Sequence, residues 1–281
     1  MSRAFDTIAY MFDLTDILEA QKDVFIAIAF RDLQETGGEY FLNADEPFHP
    51  ASTIKVHVMM EVFRQANEGF FALDERLPIL NLFTSLADGS KYSLNVVDDS
   101  EPSLYQRMGE TESIHELARL MIVRSSNLAT NILIEKVGAQ EVNEFVQALG
   151  IEGVTIRRGV EDNAAFRMGL NNSATARGLT QTMDLIARKK VVSEHASGQM
   201  IDILLGQEFN QGLPALLPNS ARVAHKTGWT GEFHHDTGIL YPPHREPYVL
   251  TIMTRGLTEA QENEAHACIA KISRRIYENI P

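Results

Sequence analysis

The C-terminal third of the chain decides the fold, and residues 222–256 read RVAHKTGWTGEFHHDTGILYPPHREPYVLTIMTRG. Apolar residues alternate with polar ones or run together over Arg222–Lys226, His234–Tyr241 and Tyr248–Thr254, which predicts three β-strands. Segments rich in glycine or proline separate these strands, and Pro242–Arg245 forms the turn between the last two. The stretch therefore predicts consecutive strands of one antiparallel sheet.

Apolar segments near the N-terminus supply further strands for this sheet. Val24–Phe30 is a continuous apolar run, Thr36–Gly38 has the composition of a turn, and a second apolar stretch follows at Tyr40–Leu42. Apolar residues at helical spacing from Phe5 to Phe12 predict a helix before the first strand. The same periodicity over Thr258–Asn279 predicts a helix after the last strand.

The middle of the chain is nearly all helical. Ser113 and Glu116 have the spacing of a capping box at the start of one helix. Leu77–Gly109 and Gly159–Asn172 are predicted to be loops, and Val154–Ile156 is a short strand candidate. The periodicity predicts helices over Ser52–Gly69, from Ser113 onward, and over Asn127–Gly138, Gln140–Gly150, Thr175–Arg188 and His195–Leu205.

These elements predict an α+β fold in which both ends of the chain form an antiparallel sheet with flanking helices. An all-helical lobe is inserted between the two halves of the sheet. We expect residues 1–281 to form a single domain, with one lobe made of residues 1–48 and 191–281 and the other of residues 49–190. An active-site cleft would then lie between the lobes.

Composition limits the classes of partner. The 25 Lys and Arg against 38 Asp and Glu give a net charge of −13, so nucleic acid and anionic membranes are not expected partners. Cys268 is the only cysteine, which excludes an internal disulfide and favours a small buried side chain. With neither a leader nor a membrane span in the sequence, we expect a soluble cytoplasmic monomer, or a periplasmic or secreted one if a leader preceded the numbering.

A serine and a lysine three residues apart open the first long helix. Ser52 stands at its predicted start, and Lys55 follows about one turn later on the same face. A serine hydroxyl becomes a good nucleophile when a neighbouring base takes its proton, and a neutral lysine can do so. By composition such a pair occurs about once in a chain of this length, so it needs further support.

Two more motifs provide that support. Ser125-Ser126-Asn127 lies at the junction of two helical patterns, where short polar side chains can enter a cleft. Lys226 and Thr227, next to Gly228 at the predicted strand end, can hold a carboxylate while the glycine lets a substrate backbone approach closely. Their order after Ser-x-x-Lys is the combination found in class A β-lactamases and penicillin-binding proteins.

The chain resembles a class A β-lactamase from about Val24 to Tyr277. Ser125–Asn131 is similar to the family's Ser-Asp-Asn-x-x-x-Asn run, and His225–Thr230 is similar to its strand beside the active site. Tyr248–Gly256 and the following helix resemble its final strand and helix. The resemblance implies a two-lobed serine hydrolase that needs no cofactor.

The resemblance also implies the catalytic roles. Ser52 would be acylated, Lys55 would accept its proton, and Ser125 would pass a proton to the β-lactam nitrogen. The backbone N–H groups of Ser52 and Trp229 would form the oxyanion hole.

The binding roles follow in the same way. Asn127 would hydrogen-bond the amide of the substrate side chain, and Lys226 and Thr227 would bind its carboxylate. His234 and His235 stand where the family often has a carboxylate-binding arginine, which would make binding weaker and pH-dependent. The triplet His234-His235-Asp236 would make a poor metal site, because neighbouring strand residues point to opposite faces of a sheet, so no metal is expected.

The sequence departs from the family pattern at two places. Ser126 replaces the aspartate of the second motif, which is expected to rearrange local hydrogen bonds. Glu161 has the family's separation from Ser125 for the deacylating base, but the Leu-Asn pair that normally follows it comes late. Asp162 is therefore kept as the alternative base.

The sequence predicts a hydrolase that opens β-lactams through an ester on Ser52. A D-alanyl-peptidase or small-ester hydrolase of the same superfamily is the first alternative. A β-lactam sensor that is acylated once without turnover is the second.

Overall fold

The computed structural model describes residues 12–280, and its five longest strands lie toward the two ends of the chain, as predicted. Six short strands of two or three residues lie in the middle, which was predicted to be all helical apart from loops and one short strand candidate. The strands are Phe25–Asp32 (β1), Glu39–Leu42 (β2), Arg76–Pro78 (β3), Phe83–Thr84 (β4), Lys91–Tyr92 (β5), Thr111–Ser113 (β6), Val154–Thr155 (β7), Ser173–Ala174 (β8), Arg222–Thr230 (β9), Phe233–Tyr241 (β10) and Tyr248–Arg255 (β11). Five of them form one sheet in the order β2-β1-β11-β10-β9, with antiparallel neighbours throughout. The predicted α+β fold class is confirmed.

Helices cover both faces of the sheet, which explains why its central strands are buried along nearly their whole length. One apolar cluster lies between the sheet and the helices of the middle of the chain. A second joins the opposite face to the terminal helices and includes the buried Cys268. The α-helices are Thr15–Glu19, Lys55–Asn67, Pro102–Tyr105, Ile114–Val123, Asn127–Val137, Ala139–Ala148, Asn163–Arg167, Ala176–Ala187, Glu194–Leu205 and Glu262–Asn279.

Side-chain caps fix the starts of several helices. Ser113 accepts a hydrogen bond from the N–H of Glu116, as the capping pattern predicts. Ser126 does the same for the N–H of Ala129 at the start of Asn127–Val137. These caps place the helix starts, and with them the second motif, at defined positions.

The structure also differs from the sequence prediction in the extent of β9 and in the loop Gly159–Asn172. β9 continues past Lys226 to Thr230, because residues as far as Thr230 still pair with β10. The predicted loop Gly159–Asn172 contains the short helix Asn163–Arg167, which Asp162 caps. The predicted helix Phe5–Phe12 lies, apart from its last residue, outside the described residues.

The fold brings the three motifs to one place. The last part of β9 lies against a single 3-10 turn, Ala51–Ile54, which leads directly into the helix Lys55–Asn67. A cavity of about 760 Å³ opens beside this turn. The division of the chain into lobes at residues 48/49 and 190/191 stays a prediction.

Candidate active site

Ser52 lies in the 3-10 turn Ala51–Ile54 and lines the cavity. Ala51 before it has a φ of +48°, a left-handed conformation that is unfavourable for a residue with a side chain. Pro50 precedes the turn, and Lys55 begins the α-helix that follows. Strained backbone often accompanies functional residues, and here it sets the direction from which Ser52 enters the cavity.

Lys55 is completely buried and contacts the second motif. Its Nζ lies 2.6 Å from the backbone oxygen of Ser125, 3.2 Å from Ser125 Oγ and 2.8 Å from Asn127 Oδ1. Burial lowers the pKa of Lys55 to about 7, although the negative charges of Asp99 and Glu161 act in the opposite direction. A substantial fraction of Lys55 is therefore neutral near physiological pH and can accept a proton.

Ser125 lies between two buried amines. Lys226 Nζ donates a hydrogen bond to Ser125 Oγ over 3.1 Å, and Lys55 Nζ donates to the same oxygen. The pKa of Lys226 is lowered well below its usual value by burial and by the charge of Lys55, with Asp236 opposing the shift. Ser125 has a φ of +54°, so its backbone, like that of Ala51, is strained. This arrangement allows Ser125 Oγ to exchange a proton with either lysine.

Asn127 connects Lys55 to the loop that carries Glu161. Asn127 Oδ1 accepts from Lys55, and its Nδ2 donates to Glu161 Oε1 over 2.7 Å. Glu161 has a φ of +59°, lines the cavity and has its pKa raised, mainly by burial. The sequence assigned Asn127 to substrate binding, which stays a prediction. The structure adds that its amide links Lys55 and Glu161.

Asp162, the alternative base, is held elsewhere. Its Oδ1 accepts from the hydroxyl of Ser85 and from the N–H of Ala165, and its Oδ2 accepts from the N–H of Leu86. The side chain is buried in these contacts, whereas Glu161 lines the cavity. The geometry therefore favours Glu161 as the carboxylate of the site.

Gly228 allows β9 to approach the nucleophile closely. A Cβ at this position would lie 2.9 Å from the backbone nitrogen of Ser52 and 3.0 Å from that of Thr53. Trp229 follows at the cavity wall, so β9 and the Ser52 turn form adjacent sides of the opening. Thr227 is buried, and its hydroxyl has no hydrogen-bond partner within residues 12–280. Such a hydroxyl gains free energy from a ligand that supplies a partner.

The two histidines of β10 point to different environments. His234 lines the cavity, is 2% exposed and has no partner for either ring nitrogen in the described part of the chain. His235 Nε2 donates to the backbone oxygen of His49, while its Nδ1 accepts from the N–H of Thr254. His235 is thus fully engaged in holding the segment before Ser52, and the structure does not bring it to the cavity.

Part of the predicted loop Leu77–Gly109 contributes to the site, although it was not among the predicted site residues. Val97, Asp98, Asp99 and Ser100 line the cavity. Asp99 is only 7% exposed. No local motif marks these residues, because their position depends on tertiary contacts with Ser126 and Asn127.

Neither a metal-binding cluster nor a membrane-spanning helix is found within residues 12–280. No group of three or more His, Cys, Asp or Glu side chains lies close enough to hold a metal ion there. Within the same residues, no helix has the length and apolar character needed to cross a membrane.

Comparison with known proteins finds β-lactamases among the relatives. The family model described as "Beta-lactamase enzyme family" matches residues 11–280. The extended-spectrum β-lactamase PER-1 of Pseudomonas aeruginosa is 24% identical over 251 residues, covering 84% of this chain and 77% of PER-1. The β-lactamase CTX-M-97 of Escherichia coli is 27% identical over 236 residues, covering 82% of this chain and 76% of the relative.

Solved structures agree over nearly the whole chain. PBP-A, in a variant solved as an acyl-enzyme complex with penicillin G, superimposes with a TM-score of 0.79 at 27% identity and covers 97% of this chain and 96% of that one. The extended-spectrum β-lactamase TLA-1 superimposes with a TM-score of 0.82 over 98% of this chain and 99% of its own. At 19% identity, this second likeness concerns the fold alone.

Proposed function

Starting from the finding that the chain belongs to the class A β-lactamase family, as its sequence predicted, we propose that it is a serine hydrolase that opens β-lactams. The observation that carries the proposal is the connected set of contacts from Lys226 through Ser125, Lys55 and Asn127 to Glu161. This set contains a base for each of the two half-reactions.

In the acylation step, Ser52 Oγ attacks the carbonyl carbon of the lactam. Its proton passes to neutral Lys55, one helical turn away. As an ammonium, Lys55 can satisfy three acceptors at Ser125 and Asn127, and as an amine it has only two N–H donors and a lone pair. Losing its proton therefore leaves Nζ with a lone pair that can accept a proton. We propose that the N–H groups of Ser52 and Trp229 stabilise the oxyanion.

Collapse of the tetrahedral intermediate breaks the lactam C–N bond. Ser125 Oγ gives its proton to the departing nitrogen, and the Lys55 ammonium returns a proton to Ser125 across their 3.2 Å contact. Lys226 Nζ donates a hydrogen bond to Ser125 Oγ from the other side, which helps to hold that hydroxyl in place. The products are an ester on Ser52 and an opened ring bearing an amine.

In the deacylation step, Glu161 removes a proton from a water molecule, and the resulting hydroxide attacks the ester carbonyl. The bond between the carbonyl carbon and Ser52 Oγ then breaks, and the proton held by Glu161 passes to Ser52 Oγ, which regenerates the hydroxyl and releases the product acid. The place of Glu161 at the cavity wall supports this assignment. The same placement argues against a sensor that remains acylated, because such a protein needs no base beside the ester. The peptidase and small-ester alternatives have no contact in the site that specifically favours them.

For substrate binding, we propose that the hydroxyl of Thr227, the Nζ of Lys226 and the ring of His234 receive the carboxylate. The unpartnered polar atoms of Thr227 and His234 support this. The substrate side chain would extend toward Asn127.

Steady-state hydrolysis of a chromogenic cephalosporin tests the proposal. We expect many turnovers by the wild type and none by Ser52→Ala, with intact mass showing no permanent adduct on the wild type. A permanent adduct with one turnover would instead identify a sensor or a peptidase. If no hydrolysis and no adduct form, the β-lactam assignment is wrong.

A further inference from the structure

The second motif has a serine where the family pattern has an aspartate. The carboxylate of Asp99, from another part of the chain, lies beside this serine. Ser126 stands at the middle position of Ser125-Ser126-Asn127. Its Oγ donates to Oδ2 of Asp99 over 3.3 Å. Asp99 follows the 3-10 turn Val96–Asp98, 27 residues before Ser126.

Asp99 collects hydrogen bonds from both sides of this contact. Its Oδ2 accepts from the N–H of Leu128 at 2.8 Å and from the hydroxyl of Tyr105 at 3.0 Å, besides that of Ser126. Its Oδ1 accepts from the N–H of Glu101 at 2.9 Å. Four donors on one buried carboxylate hold it in a fixed orientation.

These contacts join the loop of residues 96–101 to the turn Ser125–Asn127, directly after the left-handed backbone of Ser125. Leu128 and Ser126 follow Ser125, whose φ of +54° needs support from its surroundings. A second contact runs beside them, from Asn127 Nδ2 to the backbone oxygen of Asp98 at 3.2 Å. The Asp99 carboxylate therefore fixes the turn from which Ser125 and Asn127 reach Lys55.

We propose that Asp99 is a positioning residue that replaces the absent motif carboxylate, holds the Ser125–Asn127 turn against Lys55, and supplies the negative charge facing Lys55 from this loop. The inference rests on the proposed function for its kinetic consequence. Its structural consequence, the state of Lys55, can be measured without any substrate.

The charged groups around Lys55 come from three elements. Lys226 faces it from β9, Glu161 from the 158–172 loop and Asp99 from the 96–101 loop. Of the two acids, Asp99 has the larger effect in holding the pKa of Lys55 up against burial. Neutralising Asp99 therefore lowers the pKa of Lys55 further, which moves its titration to lower pH.

The test compares Asp99→Asn with the double variant Asp99→Asn/Ser126→Asp, which returns a carboxylate from the motif side. We expect Asp99→Asn to slow acylation by about 10–100-fold at its plateau, since the turn loses its anchor. We also expect the acid limb of acylation to move to lower pH by about half a unit or more. The double variant should recover most of the rate and return the limb toward that of the wild type.

Two measurements keep these effects separate from folding and from the proposed function. The first is an NMR titration of the ε-carbon of Lys55 in ¹³C-lysine-labelled protein, assigned with Lys55→Arg, which requires no lactam. The second is the acylation rate of Tyr105→Phe, which removes one donor from Asp99 without a change of charge and should fall by about 3–10-fold. Asp98→Asn removes an exposed neighbouring carboxylate and controls for bulk charge.

The proposal is supported if Asp99→Asn shifts the Lys55 titration more than Asp98→Asn does and the double variant reverses the shift. It is overturned if the titration is unchanged in Asp99→Asn, or if the double variant folds but does not recover. If Asp99→Asn does not fold, two results together overturn the proposal. Tyr105→Phe is acylated at the wild-type rate, and the double variant does not recover the wild-type acylation rate. If the wild type is not acylated but the titration shifts as expected, the proposed function fails and the placement of Asp99 stands.

Discussion

Asn127 Nδ2 donates to Glu161 Oε1 over 2.7 Å, and Asn127 Oδ1 accepts a hydrogen bond from Lys55. One amide therefore joins Lys55, the proposed acceptor of the serine proton, to Glu161, the proposed water-activating group. Acylation and deacylation are therefore assigned to two ends of one hydrogen-bonded chain, and each end can be altered separately.

Glu161→Gln should separate the two half-reactions. The amide keeps the volume and can still contact Asn127, but it cannot remove a proton from water. We expect acylation to continue while turnover falls by about 10²–10⁴-fold, so that the ester accumulates. Quenched-flow sampling with intact mass measures both rates.

The control is Asp162→Asn, which weakens the cap of Asn163–Arg167 and costs about 1 kcal/mol of stability. We expect its turnover per folded molecule to stay within severalfold of the wild type. Equal turnover in Glu161→Gln and the wild type would show that another group activates the water.

Acylation should depend on pH through Lys55. Because burial lowers its pKa to about 7, the neutral form is present above that pH and is lost as the pH falls below it. We expect the acylation rate to decline about tenfold per pH unit below 7 and to level off above it. Stopped-flow acylation between pH 5.5 and about 8.5 measures this limb.

Lys55→Arg keeps the charge but removes the neutral state, since arginine stays protonated in proteins. We expect acylation to fall by about 10²–10⁴-fold above pH 7, and by less at lower pH, where the wild type also loses the neutral amine. A wild-type rate that is flat through neutrality would exclude Lys55 as the proton acceptor.

His234 should make substrate affinity depend on pH in the opposite direction. Burial is the main cause that lowers the pKa of its ring. His266 lowers this pKa further, whereas Glu262 raises it. A bound carboxylate favours the protonated ring, so KM should decrease as the pH is lowered. In His234→Gln a neutral donor remains, and we expect the pH dependence of KM to flatten while kcat changes little. The same slope in both proteins would place the carboxylate elsewhere.

Gly228→Ala should inactivate the enzyme through a steric effect. The new methyl group would meet the backbone nitrogens of Ser52 and Thr53 at 2.9 and 3.0 Å, so either β9 or the 3-10 turn must move. We expect kcat/KM to fall by about 100-fold, with a loss of about 1–3 kcal/mol in the free energy of unfolding.

Gly198 offers the matched control. It lies inside the helix Glu194–Leu205, and a Cβ there would meet no atom within 4 Å. Gly198→Ala should add about 0.5–1 kcal/mol of stability and leave kcat/KM as in the wild type. Thermal unfolding and steady-state rates test both substitutions, and an active Gly228→Ala would contradict the close approach of β9.

Residues with local signals were predictable from the sequence. The strands at both ends of the chain, the cap at Ser113 and the order of the three motifs depend on nearby residues, and the structure places them as expected. The extent of β9 beyond Lys226 was not predictable, because pairing with β10 maintains the strand through Gly228.

The remaining features depend on contacts distant in sequence. His234 and His235 have the same local signal, and only the packing of His235 against His49 shows that one of them is structural. Asp99 belongs to an acidic run typical of surface, and its burial results from donors at Tyr105 and Leu128. Glu161 lacks its expected local pattern, and its position depends on Asn127.

The most direct test of the central claim is the location of the acyl group in Glu161→Gln treated with penicillin G. Peptide mass spectrometry of the trapped protein should place one penicilloyl group on Ser52, and Ser52→Ala/Glu161→Gln should carry none. Modification of any other residue, or no modification of a folded protein, would contradict the assignment of Ser52 as the nucleophile.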